Sequence, residues 1–294
     1  ARPQPRLDGG AMRADGSDDD RPPFLGGAAP VGSLTGGLLA RLRRTEARPT
    51  VVGAGGTAVG GVEFAATIER AAAGLGRRGM CPDDIIGILA PVCPERLTAV
   101  YTVMAMGGLA LPLDLDSDLE TITEVLTTVD ARMILVTAPL AGIARELADR
   151  SRVRQVIAFG DAAETTPFSE LLQPSPDGSG YDPARGLFDN GILSCSARGS
   201  GIETTLHGHR ELLSRFHTIS RDLSLACRDT VVLDAGADES DRAVLGAAAL
   251  WAGASVVTTV AADDREAAAV ADAHGATVRC SPAPHRSAVR HAAG

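Results

Sequence analysis

Strands that alternate with helices from about residue 50 to residue 280 predict an α/β protein of mostly parallel sheets flanked by helices. Three observations carry that prediction. Short apolar runs such as Ile85–Leu89, Met133–Val136 and Gln155–Phe159 have strand length and lie between turn residues. Longer segments between them repeat their apolar residues at helical spacing. The composition is 45% hydrophobic but only 3% aromatic, with 33 glycines, which suits close packing of helices on sheets.

Taken in order, residues 1 to about 32 are rich in Pro, Gly, Arg and Asp and include Asp18-Asp19-Asp20. Such a segment buries too little apolar surface to offset the cost of ordering. Residues 1–48 are therefore expected to be a disordered leader or linker. They carry one possible short helix, Ser33 to Arg44, with Leu34, Leu38, Leu39 and Leu42 on one face. Thr50-Val51-Val52, the glycine-rich Gly53–Gly56 and Thr57-Ala58-Val59 fit either a β-hairpin or a dinucleotide-binding turn. The hairpin is favoured, because a phosphate-binding turn opens directly into a helix and Val59-Gly60-Gly61 intervenes here.

Val62 to Gly79 reads as an amphipathic helix with Phe64, Ile68, Ala71, Ala72 and Leu75 inward. Gly79 closes it and Pro82-Asp83-Asp84 turns the chain. Strand Ile85–Leu89, helix Pro94–Met106 and strand Leu109–Leu113 follow. Next come helix Leu119–Val129, strand Met133–Val136, helix Leu140–Arg150 and strand Gln155–Phe159. Residues 161–188 are mixed and polar and read as irregular. Ile192-Leu193 is a short strand before a Ser/Gly-rich loop, and Glu211–Leu223 a helix after it. Strands at Thr230–Leu233, Ala254–Val260 and Thr277–Cys280 alternate with helices Ala243–Ala252 and Glu266–His274. The main domain is placed at 49–284 and a tail at 285–294.

A net charge of −9 argues against binding nucleic acid by phosphate neutralisation, and Arg41, Arg43 and Arg44 read as a solvated helix face. Five cysteines, none spaced C-x-x-C, point to reduced thiols rather than disulfides or zinc, and so to a cytoplasmic protein. No window is long and apolar enough for a membrane span, and no signal-peptide core is evident. The first residue is Ala1 rather than Met, so a processed product or an excised piece is expected.

Four stretches carry a family resemblance. Arg77-Arg78-Gly79-Met80-Cys81-Pro82-Asp83-Asp84-Ile85 resembles an R-G-V-x-P-G-D turn and the strand after it. Met106-Gly107-Gly108-Leu109-Ala110-Leu111-Pro112-Leu113-Asp114 resembles L-x-A-G-A-x-Y-V-P-L-D and is the most specific of the four. Ala131–Val136 is similar to the strand after the next helix. The fourth is Ser194 to Leu212. Together they resemble the adenylate-forming superfamily: acyl-CoA ligases, luciferases and the adenylation domains of nonribosomal peptide synthetases.

The resemblance implies the N-terminal domain of such enzymes, without the later subdomain and the C-terminal domain. It also implies a phosphate loop of the form [YF]-[ST]-S-G-T-T-G-x-P-K-G-V, followed by a histidine. Glycine N–H groups, hydroxyls and a lysine would hold ATP there. The candidate residues are Ser194, Ser196, Arg198, Gly199, Ser200, Gly201, Thr204 and His209. Ile202-Glu203-Thr204 stands where Pro-Lys-Gly is expected, and a glutamate repels polyphosphate. Ala237-Asp238-Glu239-Ser240 loosely resembles the F-D-x-S segment, with Ala237 in place of the phenylalanine, and Asp238 stands where the aspartate holds the substrate amine in many amino-acid-activating members. A surface position is its other reading.

His207, His209 and His217 suggest a metal site, but no carboxylate or cysteine spacing completes one. Cys195 is a conceivable nucleophile whose plain alternative is a buried thiol. The expected function is that of a degenerate adenylation-like protein, a noncatalytic interaction or scaffold domain in a biosynthetic system. The first alternative is an ATP- and magnesium-dependent ligase fragment completed by a C-terminal half. The second is a nucleotide-cofactor-binding domain using Gly53–Gly56. A protein partner or a second copy is expected to cover the face left by the absent part, with neither nucleic acid nor membrane as partner.

Overall fold

The computed structural model describes residues 33–45, 50–53, 55–175, 178, 180–182, 191–198, 201–261, 263–280 and 288–290. The expected disordered leader over residues 1–32 lies outside them, as do Gly199 and Ser200.

Two sheets form the frame. The larger orders its seven strands β7-β6-β5-β3-β4-β8-β9: β3 (Ile85–Leu89), β4 (Leu109–Pro112), β5 (Met133–Thr137), β6 (Gln155–Phe159), β7 (Thr166–Pro167), β8 (Gly191–Arg198) and β9 (Gly201–Gly208). All its pairings are parallel except β8 with β9. The smaller orders its six strands β13-β12-β10-β11-β1-β2: β1 (Thr50–Gly53), β2 (Ala58–Gly60), β10 (Thr230–Leu233), β11 (Ser255–Thr258), β12 (Val278–Cys280) and β13 (Ala288–Arg290). Its centre is parallel, and β1–β2 and β12–β13 are antiparallel margins.

Helices α1 (Leu34–Leu42), α2 (Gly61–Arg77), α3 (Pro94–Met106), α6 (His209–Leu223) and α7 (Glu239–Trp251) pack between the sheets. α4 (Leu119–Thr128) and α5 (Ala141–Arg150) cover the outer face of the larger sheet. α8 (Asp264–Ala273) covers that of the smaller. The order of layers follows from strand alternation. In β5, Met133 and Leu135 face the middle helices, whereas Ile134 and Val136 face α4 and α5.

Each middle helix is shaped by its place. α2 buries Phe64, Ile68, Ala71, Ala72 and Leu75 on one side, as its spacing predicts. α3 lies in the centre and is apolar almost all round; Tyr101 is fully buried and donates to the Ala243 carbonyl at 2.6 Å, tying α3 to α7. Gly74 lets α2 reach the backbone of residue 171: a Cβ there would sit 2.3 Å from the Leu171 oxygen. The low aromatic content and high glycine content thus serve a double-sheet stack with close helix contacts.

Four expectations need correction. The Ser/Gly loop after Ile192-Leu193 is not a loop over most of its length: β8 and β9 pair continuously from Gly191↔Gly208 to Arg198↔Gly201. Ser194 and Ser196 stand on one strand and Thr204 and Thr205 on the other, where extended backbone accepts them. α7 starts at Glu239, four residues before the predicted Ala243, because buried ion pairs accommodate its polar first turn. Residues 288–290, read as tail, form β13 against β12. The short helix assigned to the leader belongs to the body, since Leu34, Leu38, Leu39 and Leu42 are all buried. The glycine-rich turn at Gly53–Gly56 joins two antiparallel strands, with Gly53 N–H bonded to the Thr57 carbonyl at 3.0 Å; it opens no helix at that point.

Candidate functional site

The hairpin β8–β9 leaves the larger sheet at its carboxyl end. β8 is parallel to β4 and touches it in register at Ala110↔Ile192. Ile192 and Leu193 are buried and anchor the base, and Cys195 and Ile202 pack partly buried against the outer core. The base is tight: a Cβ on Gly191 would fall 2.1 Å from the His207 carbonyl oxygen. Beyond it more of the hairpin is open to solvent. Ser196, Glu203, Thr204 and Thr205 are exposed, and Leu206 is 48% exposed.

This geometry places the predicted phosphate-loop residues as follows. Ser194 faces Thr205 across the ladder, Cys195 faces Thr204, Ser196 faces Glu203 and Arg198 faces Gly201. Gly199 and Ser200 join the strands and lie outside the described residues, and the Arg198 side chain is likewise not described. His209 opens α6 and is buried. Ser194, Ser196 and Thr204 therefore share one hairpin, with His209 at its exit.

An extended strand points successive N–H groups to opposite sides, so the ladder residues do not converge their N–H groups on one phosphate as a compact nest does. Burial pushes the Cys195 thiol up to about 11, which leaves it protonated near neutrality and a poor nucleophile. His207 turns its Nδ1 to the Glu211 carboxylate at 3.0 Å. Among the described residues no group of three His, Cys, Asp or Glu side chains is placed to hold a metal ion.

Asp238 is exposed at the N-cap of α7, and its side chain makes no capping hydrogen bond. The residue after it carries more of the structure. Glu239 is buried and takes Arg96 Nε at 2.6 Å and Arg242 Nη2 at 3.0 Å on the same oxygen. Burial alone would raise its pKa, but the two guanidiniums outweigh that and hold it at about 2. Sequence reasoning passed over this triad. The signals were present: an arginine inside the apolar helix α3, and an acid–arginine pair at i, i+3 in α7.

The fold is that of an adenylate-forming, ligase-like domain. The AMP-binding enzyme profile matches residues 38–186, just over half of the chain, and the chain belongs to that family, "AMP-binding enzyme". Over 116 residues it is 30% identical to "Probable 4-coumarate--CoA ligase 1" of Dictyostelium discoideum, covering 38% of this chain and 21% of that protein. Among solved structures it is similar to a long-chain-fatty-acid-CoA ligase from Archaeoglobus fulgidus, with TM-score 0.69 and 15% identity over 85% of this chain and 51% of that one. It is also similar to the luciferase-like enzyme of the mealworm Zophobas morio, with TM-score 0.72 and 15% identity over 85% and 60%. The chain thus spans about half of the solved relatives and about a fifth of the curated one. At these identities the structural likeness is one of fold.

Proposed function

We propose that this chain is a noncatalytic adenylation-like domain, which acts by binding other proteins in a biosynthetic system rather than by forming adenylates itself. The observation that carries the reading is the closed ladder of β8 and β9, with Glu203 exposed opposite Ser196. A phosphate loop needs converging N–H groups and a cation; among the described residues the paired strands turn successive N–H groups apart, and Glu203 sets a carboxylate opposite Ser196. The exposed outer strand β9, with Leu206 on it, ends the larger sheet and is a natural edge for a protein partner or a second copy. The coverage of the relatives supports a second reading: a ligase in which a C-terminal part supplies the remaining ATP and magnesium contacts.

Calorimetric titration of the whole chain with Mg-ATP separates the two. The first reading expects no saturable heat at millimolar nucleotide and no thermal stabilisation, whereas a ligand at about 100 times its Kd adds roughly 2.7 kcal/mol. Saturable binding that is lost in Arg198→Ala or Ser200→Ala refutes it and supports the ligase reading.

A further inference from the structure

β9 closes the larger sheet on one side, and among the described residues no strand pairs with its outer edge. That edge is long and regular. The eight residues Gly201–Gly208 pair with β8 one for one, from Gly191↔Gly208 to Arg198↔Gly201, so no bulge twists the edge away. It contains neither proline nor lysine, which commonly blunt a free edge, and Glu203 is its only carboxylate. A row of backbone N–H and C=O groups of this kind is a template for a further strand.

The side chains of β9 select the partner. Alternation puts Glu203, Thr205 and His207 on one face and Ile202, Thr204 and Leu206 on the other. The first is the face of the middle helices, since His207 stands opposite Ile192. The second is the outer face, since Leu206 stands opposite Leu193 and Ile202 packs against the outer core. Glu203, Thr204 and Thr205 are exposed, as is Leu206 despite its apolar side chain. His207 turns Nδ1 to Glu211, which also lies 3.7 Å from Arg215, so Nε2 of His207 is left for a second acceptor.

We propose that β9 pairs antiparallel with β9 of a second copy, about a two-fold axis through Thr205. The proposal rests on the interaction role put forward above and commits its open edge to one occupant. In this register Glu203 of each copy stands opposite His207 of the other, an opposite-charge pair made twice by symmetry. On the outer face Leu206 stands opposite Thr204, and the two Leu206 side chains become diagonal neighbours that cover one another. Moving the axis to Thr204 loses the Glu203–His207 pairs and sets the two Glu203 carboxylates diagonally together, which like-charge repulsion disfavours. Moving it to Leu206 shortens the paired stretch. A two-fold axis closes the contact, so assembly stops at a dimer. So short an edge buries little area, and the dimer is reversible in the micromolar range.

Sedimentation velocity on the whole chain, from about 1 µM to about 100 µM, reads the association. The expected result is a monomer at the low end and a dimer, with no larger species, at the high end. Leu206→Lys sets two cations diagonally together and weakens the dimer about tenfold or more, with an unchanged melting temperature at about 1 µM. Glu203→Lys and His207→Glu, each folded by circular dichroism, weaken it about tenfold, and the two combined return it to within about threefold of the parent. A chain that stays monomeric at about 100 µM overturns the proposal. So does a dimer that Leu206→Lys leaves intact, or one that the combined exchange fails to restore. A monomer that also gives no heat with Mg-ATP removes the dimer while leaving the noncatalytic reading in place.

Discussion

Glu239→Gln removes the one negative charge from the triad that joins α3 to α7 while keeping the shape of the side chain. Between its ordinary value of 4.5 and the value of about 2 held by Arg96 and Arg242, the charged form gains tenfold per pH unit. At about 1.4 kcal/mol for each tenfold, that difference amounts to about 3 kcal/mol of folded-state stability near pH 7. The sign follows from the direction of the change. A carboxyl group with a depressed pKa in the folded state adds its full stability above about 4.5 and loses it as pH falls towards 2. Removing one member of a buried ion cluster has a cost in the same range, about 3–5 kcal/mol.

Thermal unfolding followed by circular dichroism reads the effect. The variant is expected to melt about 6 °C below the parent near pH 7, at about 2 °C per kcal/mol for a chain of this size. Near pH 3 the same two pKa values leave about 1 kcal/mol, so the gap shrinks to less than half. A variant within about 1 °C of the parent near pH 7, or a gap that does not narrow in acid, refutes the assigned role of the triad.

Three further outcomes are expected. Gly191→Ala drives a Cβ into the His207 carbonyl and forces the hairpin base apart, with a loss of about 1–3 kcal/mol; hydrogen exchange should report the loss first in β8 and β9. Tyr101→Phe removes the hydroxyl that donates to the Ala243 carbonyl and lowers stability by about 1 kcal/mol in denaturant titration. Glu203→Lys returns a cation to the exposed face of β9; it should leave the melting temperature nearly unchanged and, in the noncatalytic reading, produce no saturable Mg-ATP binding, because strand geometry rather than charge alone is the obstacle.

The central strands were legible because burial on both faces leaves an unbroken apolar run. Ile85–Leu89 coincides with such a run, and Gln155–Phe159 contains one from Val156 to Phe159. Helix α2 was legible for the complementary reason, a single apolar stripe. The start of α7 was not, because Glu239, Ser240 and Arg242 are buried through partners on other elements, and local polarity reads them as solvent-facing. The hairpin was located but its conformation was missed: serine, threonine and glycine mark loops by composition, while pairing between β8 and β9 extends them. The buried triad depends on Arg96 meeting Glu239 and Arg242 across a long separation in sequence, which no local pattern encodes.

The place of β1 bears on how the chain comes to fold. It lies between β2 and β11 in a sheet whose other strands all come from residues 230–290, and its Thr50 hydroxyl donates to Ser255, 205 positions later. Closing so distant a contact is entropically costly and slow. During synthesis the larger sheet can assemble its β3 to β6 centre early, while β1 and β2 wait for the last third of the chain. The middle helices have one sheet to rest on and an uncovered apolar side until then. A break in the chain between residues 60 and 230 therefore does not separate two independent folding units: it leaves the first fragment holding a β1–β2 hairpin whose parallel neighbour β11 lies on the second.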